Sequence, residues 1–298
     1  MKIAIAAQVP AYEQGKEPGR SGHSSRPGGS IGQVLLQDHA PDDLNFRLRR
    51  NQFQSGDKAF TSPRHCHTFQ QIRFAERGSV NFAPGQSIHE GDIAFFPRGA
   101  YYGPQVKDQG ISVALQYGFG GEHQEGPIWD QYRAEALARL KSRGTFQNGS
   151  YIDTDPITGE DRQRDSLQAL YEEQYLMHTN EKLRLRPTSY EAPVLMHPRA
   201  FAYYPAGQGI EIKQLGRFYD CAGPDGDVGL AMVRISDGSA YTFDSHRAQI
   251  AWSISAGLGI EGKTYPELTC LYSPRGEEAM VKAEATVELF VVNFPVPI

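Results

Sequence analysis

With 298 residues, 39% of them hydrophobic and 22% charged, the chain has the make-up of a globular protein of one large domain or two ordinary ones, and 31 glycines with 19 prolines favour short strands and turns over long helices. A formal net charge of −5 argues against a nucleic-acid partner, and no run approaches the roughly 20 apolar residues of a membrane helix, so no membrane partner is expected. Cys66, Cys221 and Cys270 lack paired spacing and suit a reducing compartment; with no signal-peptide layout at Met1–Gln8, the expectation is a cytoplasmic protein.

Residues 1–31 read as an N-terminal arm. The stretch from Glu13 to Gly32 is dense in Gly, Ser, Arg and Pro, but no Gly-Lys-Ser/Thr follows its glycines, so no phosphate loop and no nucleotide cofactor is expected. From 32 to 126 the strand candidates are Gln33–Leu36, Leu44–Arg49, His67–Phe74, Ser79–Phe82, Asp92–Phe96 and Ile111–Tyr117, split by turn signals such as Gly56-Asp57, Pro84-Gly85 and Asp108-Gln109-Gly110. Residues 127–186 read as a helical connector. Trp129, Tyr132, Ala136 and Leu140 follow helical spacing up to Gly144, and after a turn-rich bridge Asp165 heads a capping-box-like start to a second helix. From 187 to 298 strands return at Ile210–Leu215, Val228–Ile235, Ala251–Ile254, Leu268–Tyr272 and Val287–Phe294, divided by turns that include Gly223-Pro224-Asp225-Gly226. The class expected is therefore all-β, a sandwich or barrel in each half.

One stretch carries chemistry. In Pro63-Arg64-His65-Cys66-His67-Thr68-Phe69-Gln70-Gln71-Ile72-Arg73, a period of two puts His65, His67, Phe69, Gln71 and Arg73 on one face, a polar lining for a pocket inside a barrel, and turns Cys66 away from it. A buried Arg73 needs an anionic partner, either a substrate carboxylate or phosphate or an internal acid such as Glu76. Tyr101, Phe95 and Phe96 add aromatic character, His89 sits in an exposed turn, and His178 and His197 lack partner spacing. The halves also share a frame. His65 precedes Gly78 by the same interval that separates Asp244 from Gly257, and Pro97-x-Gly99 is echoed by Pro274-x-Gly276.

The first half resembles the cupin superfamily on these residues: His65, His67, Gln71 at that family's glutamate position and Gly78, then Gly91, Pro97, Gly99 and Tyr102 at its later histidine position. It is also similar to a little-characterised bicupin group with His-x-His-x-Phe-x-Gln-x-Arg and Tyr-Gly-Pro-Gln motifs, the latter here Tyr102-Gly103-Pro104-Gln105. The resemblance implies two tandem jelly-roll barrels, the active one N-terminal, with homodimers as bicupins often form. It further implies a divalent metal (Fe, Mn, Ni, Zn or Cu) on His65, His67, Gln71 and Tyr102, and a small-molecule enzyme of dioxygenase type or a metal-assisted isomerase or lyase.

Two of those ligand positions are changed, since Gln71 offers a neutral carbonyl and Tyr102 a phenol. Two alternatives therefore stand. One is metal-free acid–base catalysis by His65, His67 and Tyr102, as an isomerase, dehydratase or cyclase, with Gln71, Arg73, Phe69 and Gln105 holding a small substrate. The other is a non-catalytic small-molecule binder. In the second half Asp244, His246, Ile250 and Ala279 fall at the four ligand positions, so that barrel is expected to be structural.

Overall fold

The computed structural model describes residues 1–13, 29–39, 44–55, 59–107, 109–119, 127–185, 188–220 and 226–296, without the side chains of 127–131, 219–220 and 226. The predicted turns at Gly56-Asp57, Asp108 and Gly223-Pro224-Asp225, most of the Gly/Ser/Arg/Pro-rich arm, the side chain of Trp129, the 186/187 boundary and Cys221 lie outside the described residues. Two compact units emerge: one made of residues 11–33 and 38–195, the other of 1–10, 34–37 and 196–298.

The hydrogen-bonded ladders repeat one strand order in both units. In the first sheet the order is Val194–Met196, Ile93–Phe96, Gln70–Ala83, Gly110–Phe119, Leu44–Phe53, Ser30–Asp38 and Tyr12–Glu13. In the second it is Lys2–Ile5, Thr269–Ser273, Gln249–Ser253, Val287–Asn293, Gly226–Ile235, Ile210–Asp220 and Tyr204–Gly207. Smaller sheets complete each sandwich: Phe60–Ser62 pairs with Gln105–Lys107 in one, and Ala240–Thr242, Met280–Ala283, Leu258–Ile260 and Lys263–Tyr265 pair in the other. The repeat read from spacing is thus a repeat of topology. Its paired glycines Gly78 and Gly257 both adopt left-handed backbone, at φ 70° and 99°, a region other residues enter at a cost.

Several boundaries shift. The runs at 67–74 and 79–82 belong to a single strand, Gln70–Ala83, whose far half pairs with Gln86–His89. At the N-terminus, Lys2–Ile5 is no free arm; it lies antiparallel to Thr269–Ser273 with Ile3 opposite Leu271, because a short apolar run completes a sheet edge that would otherwise expose unpaired amides. The connector is more than helical. Between α1 (Pro127–Arg143) and α2 (Ser166–Thr179) the turn-rich bridge folds into a three-stranded antiparallel sheet, Gly144–Gln147, Ser150–Thr154 and Asp161–Asp165. Leu140, Ala136, Tyr151, Ala169 and Leu170 form its core, and the buried Tyr151 hydroxyl donates to the Leu140 carbonyl at 2.8 Å. Asp153 pairs with Arg162 and Arg164 across two strands, and those guanidinium groups hold its carboxyl below the usual range.

The barrels differ in what fills them. Residues directly opposed across a ladder face the same side, and in the N-terminal sheet such a row reads Phe96, Gln71, Gln116, Arg47. On the corresponding C-terminal strands a row reads Leu271, Ala251, Val291, Ala231, and an aliphatic cluster that includes Val233, Leu258, Leu271, Val281 and Leu289 closes that interior. Ile250 stands on the opposite face from Ala251, so the residue facing the barrel is one position later than the motif spacing predicts; a one-residue slip reverses every side chain. Ala279 joins the apolar core as expected. Asp244 and His246 lie on an exposed turn where the Asp244 carboxylate accepts from the His246 amide at 2.9 Å, so they line no pocket.

Candidate active site

His65 and Tyr102 form an isolated antiparallel bridge, His65 N–H donating to Tyr102 O at 3.0 Å and Tyr102 N–H to His65 O at 2.9 Å. His67 O accepts from Gly99 N–H at 2.8 Å. The regular strand begins only at Gln70, so His65 through Phe69 are held by these cross-connections and not by a continuous ladder. Gly103 makes the closeness feasible: its φ is 97°, and a Cβ there would lie 3.1 Å from the Pro63 carbonyl oxygen and 3.2 Å from Arg64 Cα. The Gly103-Pro104 peptide bond is cis.

Arg73 is the hub. It is 6% exposed, and its guanidinium donates from Nε to Gln71 Oε1 at 3.0 Å, from Nη1 to Gln105 Oε1 at 3.3 Å and from Nη2 to Tyr102 Oη at 2.9 Å. It also lies 4.2 Å from the centroid of the Phe96 ring and 5.1 Å from that of Tyr102, geometry in which a ring face attracts a cation. Glu76 is not its partner. The Glu76 carboxylate receives Arg50 at 2.6 and 2.7 Å, because residues 74 and 76 point to the opposite face of the strand from 71 and 73.

His65 and Tyr102 are 2% and 3% exposed. His65 Nδ1 lies 2.8 Å from the Pro63 carbonyl oxygen, which can only accept, and 3.2 Å from Ser62 Oγ. Nδ1 therefore carries a hydrogen, which in the neutral ring leaves the lone pair on Nε2. The His65 ring sits 4.6 Å from the Tyr102 ring and 5.0 Å edge-on from that of His67, which stacks on Phe69 at 4.4 Å.

The seven residues proposed from sequence, His65, His67, Phe69, Gln71, Arg73, Tyr102 and Gln105, come together in this one barrel. Phe96 joins them from the next strand, while Phe95 faces the other way and packs on Tyr190. Tyr101 is largely outside. It hydrogen-bonds the Cys66 side chain, and burial pushes that thiol up to about 11, so Cys66 is no nucleophile at neutral pH. His89, His178 and His197 are exposed.

Two residues went unrecognised as neighbours of the site. Asp165, the N-cap of α2, accepts from the amides of Leu167 and Gln168 through Oδ1 while Oδ2 lies 4.0 Å from His65 Nδ1. Lys107 is 6% exposed, and alternation from Gln105 would have signalled that it faces inward.

Two of the four ligand atoms implied by the resemblance, Gln71 Oε1 and Tyr102 Oη, accept from one guanidinium, so a full positive charge already stands beside them. Among the described residues no three His, Cys, Asp or Glu side chains gather within metal-holding reach. As arranged, the set already holds the Arg73 guanidinium and does not fit a metal ion as well.

No protein-family model and no curated protein sequence matches the chain. Solved structures do. A candidate dioxygenase from Nostoc punctiforme aligns over 100% of this chain and 83% of its own length, at 9% identity and a TM-score of 0.57. Oxalate decarboxylase from Bacillus subtilis, a protein with Mn(II) centres, aligns over 98% of this chain and 76% of its own, at 11% identity and a TM-score of 0.50. The fold is a tandem cupin. At such identities the likeness covers the fold, and a cupin supports many chemistries. Among the described residues no helix is long and apolar enough to cross a membrane.

Proposed function

We propose that the N-terminal barrel is an acid–base enzyme site for a small anionic molecule, with the Arg73 guanidinium as its resident cation. The observation that carries this reading is the shared hold of Arg73 on Gln71 Oε1 and Tyr102 Oη. A guanidinium matches a carboxylate or phosphate through paired donors. It also favours negative charge on the phenol oxygen it touches, so Tyr102 is set to release its proton toward a substrate. His65 Nε2, with its lone pair, is the complementary base.

The step that balances is a proton transfer at carbon. His65 Nε2 takes a proton from the carbon next to a substrate carbonyl, the C–H electron pair moves into the carbonyl, and its oxygen receives the Tyr102 proton. Return of the His65 proton to the adjoining carbon, while the Tyr102 phenolate takes back a proton from a neighbouring hydroxyl, gives an isomer; loss of a neighbouring hydroxyl as water with the His65 proton, while the phenolate takes back the enol proton, gives a dehydration product. Gln71 and Gln105 hold the substrate's oxygens, and Phe69, through its stack on His67, fixes that ring.

A second reading has its own support. His65 and His67 keep two imidazoles 5.0 Å apart in a fold shared with a Mn(II) protein, the start of a metal site if Arg73 is displaced. Solvent-deuterium exchange separates the two. Mixtures of small carbonyl acids incubated in D2O with chelator-treated protein should acquire deuterium at carbon, and His65→Ala and Tyr102→Phe should each slow this by about 100-fold or more. Exchange, or oxidation, that appears only after a divalent metal is restored would select the second reading.

A further inference from the structure

In the interior row of the N-terminal sheet, Gln116 stands opposite Gln71 on one side and Arg47 on the other. Gln71 and Gln105 each give their amide oxygen to Arg73, at 3.0 and 3.3 Å. The Gln116 amide is placed differently. The residue is 9% exposed, and its Oε1, shut off from solvent, accepts no hydrogen bond among the described residues. A buried amide oxygen that has left water without gaining a donor is unfavourable. A molecule in the barrel that brings a donor to it relieves that cost.

Gln116 is close to the chemistry. Opposed residues of an antiparallel pair hold their Cβ atoms about 4.5–5.5 Å apart, and diagonal neighbours lie about 7–8 Å apart. Gln116 therefore adjoins Gln71 and stands one diagonal from Arg73, whose own opposite residue is Ala114. Ala114 is the next residue along the Gln116 strand on that face, and Ala94 flanks Arg73 on its other side. Neither alanine extends past its Cβ, so neither fills the span from guanidinium to amide.

The amide also selects its partner. It is neutral and suits a neutral group, whereas an ammonium drawn out of water needs a charged one. An amide can turn either end inward, and a hydroxyl, which both donates and accepts, satisfies both ends.

We infer that Gln116 is a specificity-determining residue, and that the anionic molecule in this barrel carries a hydroxyl bonded to the Gln116 amide; its class is a small hydroxy acid. The inference rests on the reading of Arg73 as the anion anchor. Arg73 takes the acidic group, and Gln116 takes the hydroxyl without moving a proton.

Calorimetric titration of the full chain at constant pH with α-, β- and γ-hydroxybutyrate, beside butyrate and the corresponding aminobutyrates, tests it. The best hydroxy acid should bind at least about tenfold tighter than butyrate, because a site whose buried amide pairs with a hydroxyl penalises the analogue lacking it. Gln116→Met, similar in length but without the amide, should abolish that preference and leave butyrate within about twofold of wild type. Arg73→Leu should weaken every acid by about tenfold or more. Should Gln116→Met fail to fold, the wild-type series decides by itself. Hydroxybutyrates no tighter than butyrate, as expected if the amide merely holds a water, overturn the inference and leave Arg73 as anchor. So does a preference that survives Gln116→Met, or an aminobutyrate that binds tighter than every hydroxybutyrate. Binding indifferent to Arg73→Leu, or no acid bound at all, overturns the anchor and this inference with it.

Discussion

The Arg73 guanidinium donates to the Tyr102 phenol oxygen at 2.9 Å, linking the strand Gln70–Ala83 to the segment that bridges back to His65. That contact joins the site's fixed positive charge to its proposed proton donor. Tyr102→Phe removes the acceptor and leaves the ring in place among Phe96, His65 and His67. A charged donor that loses its buried acceptor costs about 1.5–3 kcal/mol. Urea unfolding should report that loss, together with the drop in deuterium exchange.

Gly103 sets the approach of that segment to Pro63 and Arg64. Gly103→Ala adds a Cβ 3.1 Å from a carbonyl oxygen at a φ of 97°, and should destabilise by about 1–3 kcal/mol. The residue does no chemistry in this account. A variant that unfolds at the same urea concentration as wild type would show that the bridge is looser than drawn.

Asp165 caps α2 with two amide contacts, at 2.9 and 3.1 Å. Asp165→Ala should cost about 1 kcal/mol, and Asp165→Asn, an equally good cap, far less. Comparing the two melting temperatures isolates the cap. Equal losses would mean that the negative charge beside His65 dominates.

Cys66 gives a pH dependence with a definite sign. Burial raises its thiol from 9.0 to about 11 in the fold. The folded state therefore holds this proton more tightly. The resulting stability is complete below about pH 9 and is lost as pH rises toward 11, on the order of 2–3 kcal/mol for a shift of about two units at about 1.4 kcal/mol per unit. Urea melts at pH 8 and pH 10.5 should show a steeper fall for wild type than for Cys66→Ala. Parallel falls would contradict the assignment.

How much of this was legible from sequence depends on how local the signal is. Alternation placed Gln71 and Arg73 on one face, since both lie in a regular strand, and it turned Cys66 away from the histidines. Of the partners open to Arg73, Glu76 is removed by the same period of two, which sends residue 76 to Arg50. Alternation slipped by one residue at Ile250, where apolar side chains on both faces leave no contrast to fix the register. Alternation from Gln105 could have turned Lys107 inward, whereas Asp165 could be placed near the site only once α2 had brought its N-cap to His65, a contact between distant parts of the chain that leaves no local periodicity. The repeat was visible because turns are local: Gly78 and Gly257 mark equivalent left-handed turns even where the barrel linings share nothing.

The central claim is that a guanidinium stands where the cupin pattern implies a metal. Elemental analysis of the full chain, purified after growth with added Mn, Fe, Ni, Zn and Cu, tests it most directly beside Arg73→Ala and the His65→Ala/His67→Ala double variant. The account predicts far less than one metal ion per chain in the wild-type protein, at the level of the double variant. About one ion per chain in wild type, lost when the two histidines are removed, would contradict it.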